Sequence, residues 1–347
     1  MLDSLHIKNY RCLKELKIPS LARVCLLTGR NNTGKSTILE AVAIYASRGR
    51  FDFIRNLLKQ HGEEVTKGNF NGNSLEDDIK ILSSLFTDRP TRLDENEDIF
   101  IGDHDVSEKE ISVEAKFVSL GIEVDEQYGN VIFFAVSNGL KLHTNLARGN
   151  VLAFNAGTYA ADNFQFVSPR DIVTETNGAL FDKVMMADKK QYVVEALQII
   201  EPLTVDIHFP GDTPPRKPYI KLSNLPGFLP LLSMGDGINR ILTIILAAVN
   251  AAGGFLLIDE FENGLHYSAQ EKLWEIIFHL AKKLDIQVFV TTHSEDCIRG
   301  FQYVLNNSDS PRDGKLIRLD KKKDAIRLVE YNAEEMQTAN NHHIEMR

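Results

Sequence analysis

The spacing of apolar and polar residues changes several times along the chain, and each change predicts an element. "LDSLHIKN" (2–9) alternates and predicts a strand, and "LKELKI" (13–18) predicts a second strand paired with it as a hairpin. An apolar run over 22–28 predicts a buried strand. "ILEAVAIYASRG", a few residues later, carries apolar residues at helical spacing, so a helix is expected over 35–47. Residues 51–105 are polar, with "NFNGNS" (69–74) and "LDENEDIFIGDHD" (93–105) expected as loops. Between them "LEDDIKILSSLF" (75–86) predicts a helix whose acid-rich first turn suits the helix dipole. From 110 to 155 the period shortens. "ISVEAKFV", "NVIFFAVS", "LKLHTNL" and "NVLAFNA" predict four strands separated by Gly and Asn turns. Residues 178–201 return to a helical pattern. "TVDIHF" and "PYIKLS" then bracket "PGDTPPRK" as a hairpin with a Pro-rich tip. Beyond Gly227 the expected order is a helix near 237–251, a strand at 255–258, a helix at 268–284, a strand at 286–291 and a short β tail.

These elements divide the chain. Residues 1–50 and 225–347 read as one α/β core, and 51–224 as an inserted lobe of antiparallel strands and a helical segment. One uncharged stretch, "ILTIILAAVNAAGGFLLI" (241–258), reaches the lower edge of membrane-spanning length. Its Gly pair and the acids that follow predict a buried helix, a turn and a buried strand instead, so no membrane is expected. "DKKKD" (320–324) is expected as a solvated turn. The net charge of −9 means that the surface as a whole repels polyanions, so any nucleic-acid contact needs a local basic patch or a partner. Cys12, Cys25 and Cys297 lie far apart without metal-type spacing, and three sparse cysteines fit a reducing, cytoplasmic setting.

The candidate chemistry starts with "GRNNTGKST" (29–37), a G-x-x-x-x-G-K-S-T pattern between the 22–28 strand and the 35–47 helix. Strand, Gly-rich turn and helix N-terminus together point backbone N–H groups at one place, which suits a phosphate chain. The loop Gly29, Arg30, Asn31, Asn32, Thr33, Gly34 is expected to wrap that chain, with Gly29 and Gly34 allowing the tight turn. Lys35 is expected at the β- and γ-phosphates, the Ser36 hydroxyl on Mg2+ and Thr37 at the α-phosphate. "FLLIDE" (255–260) is a hydrophobic strand ending in two acids. Asp259 is the expected second Mg2+ contact, and Glu260, directly after it, the candidate general base. An acidic cap on the next helix is the other reading of that pair. "LLSMGDGINR" (231–240) precedes a long apolar helix. Ser233 suits an N-cap, and Gly235 allows close backbone approach, so this element offers a second phosphate contact. One chain has one P-loop, so the Ser233 element is expected on the nucleotide of another copy. "VFVTTHS" (288–294) is a buried strand that ends in polar residues and places His293 on the same sheet edge as the acids.

In this order, P-loop, Ser-Gly helix, Asp-Glu strand and His strand resemble the ABC-type ATPase head, a P-loop NTPase fold. "LHIKNYRCLKELKI" at the start is similar to the first hairpin of the RecF, SMC and OLD (overcoming lysogenization defect) group, "IDEFENGLH" (258–266) to its Asp-Glu-x-Glu-x-x-Leu-His stretch, and "TTHS" to its His motif. The tail beginning "LIRLDKKKD" resembles stand-alone OLD-like AAA-family ATPases. The resemblance implies Walker A roles for Lys35, Ser36 and Thr37, and Walker B roles for Asp259 and Glu260. It implies signature-loop positions at Ser233 and Gly235, a D-loop from Glu262 to His266 and a switch at His293. The signature reads "SMGDG" where transporters have Leu-Ser-Gly-Gly-Gln, and Gln165 and Arg170 are both open for the Q-loop. Coiled-coil arms of SMC type are not expected, because 51–224 has no sustained heptads. No Toprim nuclease domain is expected in the short stretch after His293.

The resemblance therefore implies an ATPase working as an ATP-gated homodimer through shared ATP sites, reporting to a separate effector such as a nuclease or toxin, as in bacterial anti-phage defence. A RecF-like repair ATPase on duplex DNA and a transporter ATPase subunit are the alternatives. Salt-sensitive DNA affinity favours the first of these, and a neighbouring permease gene the second.

Overall fold

The computed structural model describes residues 1–63, 75–90, 97–103, 117–125, 130–137, 140–145, 161–169, 173–213, 215–235, 237–308, 310–322, 325–342 and 345–347. The opening hairpin is β1 (Leu5–Tyr10) and β2 (Leu13–Ile18), with Leu5 opposite Ile18 and Tyr10 opposite Leu13. Then come β3 (Val24–Gly29), α1 (Lys35–Ala46), α2 (Phe51–Gln60), α3 (Leu75–Ser83), β4 (Ile99–Gly102), β5 (Phe117–Asp125), β6 (Asn130–Ser137), β7 (Leu140–Asn145) and β8 (Phe164–Val167). α4 (Val173–Met186) and α5 (Lys190–Ile200) lead to β9 (Thr204–His208), β10 (Tyr219–Leu222), β11 (Phe228–Pro230) and a 3₁₀ turn, Leu231–Met234. The chain continues through α6 (Gly237–Asn250), β12 (Phe255–Ile258), α7 (Tyr267–Lys283), β13 (Gln287–Thr291) and α8 (Glu295–Asn306). It closes with β14 (Gly314–Lys322), β15 (Ala325–Tyr331) and α9 (Ala333–Asn341).

The fold is α/β, as expected, and three sheets organise the described residues. The central one runs β15-β14-β3-β13-β12-β8, with all neighbours parallel except the β15–β14 edge pair. β3, β12 and β13 are buried at every position, which is why their sequences read as continuous apolar runs: a parallel sheet is covered on both faces. Successive side chains point to opposite sides. Cys25, Leu27, Leu257 and Phe289 meet Ile38, Leu39 and Val42 of α1 on one side. Leu26, Ile258, Val288 and Val290 meet α6, α7 and α8 on the other. The second sheet, β2-β1-β4-β5-β6-β7, is antiparallel and lies over the α1 side of that core. The third, β11-β10-β9, is small.

Several expectations change. Phe51–Gln60 is a helix inside the stretch expected to be polar and loop-rich; Ile54, Leu57 and Leu58 form its buried face. Ile99–Gly102 is a fully buried strand inside an expected loop, because β1 offers a free edge to "IFIG" between flanking acids. Of the strand expected at 111–118, Phe117 and Val118 lie in a strand described as Phe117–Asp125, and both 111–116 and the strand expected at 150–156 lie outside the described residues. The 178–201 helix is two helices, broken where Asp188 takes φ 53. α8 and α9 occupy part of the expected β tail. α8 carries its own start signal, since the Ser294 side chain accepts from Cys297 N–H. The segment 51–224 supplies strands to both large sheets: β4–β7 extend the β1–β2 hairpin, and β8 is the outer strand of the central sheet.

The long apolar stretch is a helix, turn and strand. Gly253 has φ 75, and a Cβ at Gly254 would stand 1.8 Å from Asn163 O, so the turn tolerates no side chain there. Among the described residues no helix is long and apolar enough to cross a membrane.

Candidate functional site

The loop after β3 folds as its glycines require. Gly29 has φ 132 and Gly34 φ 92, and a Cβ on Gly29 would meet Leu319 O at 2.4 Å. Asn32 also takes a left-handed φ of 61, tolerable for Asn. Arg30, Asn31, Asn32 and Ser36 are exposed, whereas Thr33 and Lys35 are buried. Thr33 Oγ1 donates to Arg30 O at 2.9 Å and braces the loop. Gly34 gives α1 no side-chain cap, so the N–H groups of its first turn remain for a ligand. Lys35 Nζ donates to Gly29 O at 2.6 Å and Arg30 O at 2.9 Å. Burial lowers the pKa of this amine, and the carboxylates of Asp259, Glu262 and Glu260 pull it back up. Thr37 Oγ1 lies 3.6 Å from the exposed Cys12 Sγ at the β1–β2 turn.

The acids meet this loop because β12 and β3 flank β13 in the sheet. Ser36 Oγ donates to Asp259 Oδ1 at 3.0 Å, and Thr291 Oγ1 donates to the same oxygen at 2.5 Å. Hydroxyl and carboxylate oxygens form a hard donor set that suits Mg2+, so the fit of Ser36 and Asp259 to that ion rests on this pair. Glu260 follows with φ 50, its N–H donating to Thr291 Oγ1 at 2.9 Å. A left-handed glutamate next to a metal-type carboxylate is a strained backbone held by its surroundings. The hold comes from Phe261. Its N–H reaches Thr291 O at 3.0 Å. Its ring stacks on the fully buried Trp274 at 4.3 Å and 12°. The Glu260 carboxylate is half-buried and has no hydrogen-bond or ion-pair partner among the described residues, which leaves it open to water.

His293 stands two residues beyond the end of β13, also half-buried and with its ring unpartnered among the described residues. Its backbone is pinned. Glu262 Oε1 accepts from His293 N–H at 2.8 Å and Oε2 accepts from Thr292 Oγ1 at 2.7 Å. One sheet edge thus gathers Lys35, Ser36, Asp259, Glu260 and His293.

The Ser233 element differs from its expectation in one respect. Ser233 is not the N-cap of α6. It sits in the 3₁₀ turn three residues before it, exposed, with Oγ donating to Pro230 O at 2.7 Å. The buried Leu231 anchors that turn and sets where it forms. Gly235, at φ 111, is exposed with open space around it. Of the two Q-loop candidates, Gln165 lies within β8 opposite Leu256, short of the sheet edge, and Arg170 is outside the described residues. The β8 residue level with Asp259 is Ser168, since Val167 pairs with Ile258.

Two contributors escaped the sequence reading. Arg240, buried in the first turn of α6, donates from its two terminal nitrogens to Ser168 O at 3.0 Å and Asp259 O at 3.3 Å. It ties the helix after the Ser233 turn to the acid strand. A lone charge heading "ILTIILAAV" was its signal. Thr291 is the second, bonded to both Asp259 and Glu260; its signal was the polar end of a core strand.

Comparison with known proteins agrees with this geometry. The family described as "AAA ATPase domain" matches residues 1–201, more than half of the chain. The family described as "AAA domain, putative AbiEii toxin, Type IV TA system" matches residues 187–296. An "ATP/GTP phosphatase" of Helicobacter pylori is 23% identical over 349 residues, covering 92% of each chain. Among solved structures, an Smc head bound to the C-winged helix domain of ScpA aligns with a TM-score of 0.55 at 14% identity, over 96% of this chain and 98% of that one. A Pyrococcus furiosus Smc head with an extended coiled coil, bound to the C-terminal domain of ScpA, aligns at 0.50 and 12% identity, over 99% of each. The fold is that of an SMC-head-like P-loop ATPase, and the chain belongs to the AAA ATPase domain family.

Proposed function

We propose that this protein hydrolyses ATP and uses the cycle to close and open a homodimer that holds a separate effector. The observation that carries the nucleotide reading is the Ser36–Asp259 oxygen pair at 3.0 Å beside the buried Lys35 amine. Phosphate binding replaces the two loop carbonyls on Lys35 with phosphate oxygens, and the loop N–H groups add preorganised donors. Mg2+, held by Ser36 and Asp259, supplies neutralisation of phosphate charge when bound. Glu260 orients water for attack and accepts its proton. His293 donates to the terminal phosphate. The exposed Ser233–Gly235 turn, with the Ser233 hydroxyl bonded back to Pro230 O and open space around Gly235, is available to meet the nucleotide of a second copy.

Two findings support an effector. One matching family is described by a toxin and a Type IV TA system, and both aligned heads were solved with a partner protein. On this reading the protein is an OLD-like switch of the anti-phage kind. Its net charge of −9 weighs against direct engagement of duplex DNA.

The test is ATP turnover by purified protein with and without duplex DNA, with Glu260→Gln as the blank. Turnover indifferent to DNA, abolished in the variant together with an ATP-trapped dimer, is expected. Stimulation by DNA would replace the effector reading with a DNA-engaging one. Wild-type turnover by Glu260→Gln would remove the general base.

A further inference from the structure

Glu262 lies between Glu260 and His293, the two groups to which the proposed function assigns the water and the terminal phosphate, and its sequence position implies only membership of the loop after the acids. Its carboxylate uses both oxygens on the β13 end, one on His293 N–H and one on Thr292 Oγ1. Thr292 Oγ1 in turn accepts from Ser294 N–H at 3.0 Å, and Ser294 caps α8. On the other side, Glu262 is two residues from Glu260 and next to Phe261, which is stacked on Trp274. The following residues face α6 and the β8 loop. Gly264 O lies 3.5 Å from where a Gly237 Cβ would stand, and Asn263 Nδ2 donates to Pro169 O at 3.2 Å. The loop 261–265 therefore touches the start of the signature helix at one end and grips the histidine backbone at the other.

We propose that Glu262 is a positioning residue that sets the placement of the His293 ring according to the conformation of the 261–265 loop. The carboxylate is a bidentate acceptor, so any movement of the loop moves both donors together. Closure of a second copy on the Ser233 turn would press on this loop through Gly237 and Gly264, and Glu262 passes the displacement to His293. This rests on the proposed role of His293 at the terminal phosphate.

The test is a double-mutant cycle on steady-state ATP hydrolysis. Glu262→Ala is expected to lower kcat roughly 10- to 100-fold with KM nearly unchanged, the size of a misplacement effect. Glu262→Gln, which keeps an acceptor for His293 N–H and can donate to Thr292 Oγ1, is expected to recover most of the loss. In a His293→Ala background, Glu262→Ala should cost nothing further, because its effect runs through that ring. An additive loss in that background overturns the proposal, as does wild-type kcat in Glu262→Ala when His293→Ala is impaired. Wild-type kcat in His293→Ala overturns instead the role of the histidine itself. Should Glu262→Ala not fold, Thr292→Val removes one of the two donors and is read by the same cycle: its loss must vanish in the His293→Ala background.

Discussion

The sheet edge and the Ser233 turn are both expected to contact nucleotide, yet they are built in opposite ways. At the edge most polar groups are engaged: Lys35 on two carbonyls, Ser36 and Thr291 on Asp259, Glu262 on two donors. At the turn Ser233 bonds only its own Pro230, and Gly235 faces open space. The first region is fixed by five parallel strands and a core on each side; the second is a short exposed turn anchored by the buried Leu231, by Met234 packed on the core and by the Leu231 N–H bond to Pro218 O. An anchored edge and an exposed turn are the arrangement that the proposed function requires, with binding within one chain and closure against another.

Perturbations of the two regions should therefore separate cleanly. The largest effect is expected from Trp274→Ala, which removes the stacked support of Phe261 beneath Glu260. It should cost about 3–5 kcal/mol of stability, read by denaturant unfolding. A loss under about 1 kcal/mol would show that the edge is not held from below. Next, Lys35→Ala should weaken ATP binding roughly 10- to 100-fold, the loss of one charge-assisted contact of about 1.5–3 kcal/mol. Unchanged affinity in a fluorescence titration would refute the cradle. Ser233→Arg comes third and should leave stability and single-chain ATP affinity within about two-fold, while dimer closure in a Glu260→Gln background falls about 10-fold or more. Normal closure, measured by light scattering with ATP, would dissolve the contrast between the two regions. The smallest effect is a pH dependence. Burial holds the Lys35 amine below its ordinary value, so it loses its proton earlier in an alkaline titration than a solvated lysine. Only the charged amine binds phosphate well. ATP affinity should fall as pH rises through that range, with proton uptake on binding, and stay flat on the acid side of it. Calorimetry in two buffers of different ionisation heat reads this directly, and a flat alkaline profile would place the amine elsewhere.

The same contrast explains what was legible in the sequence. β3, β12 and β13 announce themselves because burial on both faces demands continuous apolar runs, and the polar residues ending those runs form the candidate site. β4 is only four residues between acids, and its existence depends on the free edge of β1. β8 is equally short, and its partner β12 lies some ninety residues on, so Gln165 could not be told from a loop residue. The Ser233 turn was misplaced by a few residues because Ser and Gly favour both N-caps and 3₁₀ turns, and the burial of Leu231 decides between them. Arg240 needed the fold outright: nothing local says that its two acceptors come from Ser168 and Asp259.

Lys35 has a final consequence for the energetics of the cycle. Its ammonium already holds two carbonyls of the loop, so under the proposed function ligand arrival is an exchange of acceptors and not a gain of new ones. The heat released on association should then be smaller than a count of contacts in the bound state suggests. When the product leaves, the same two oxygens receive the amine back, and the loop keeps its shape without refolding. A cradle of this kind would reset between turnovers by moving a single side chain.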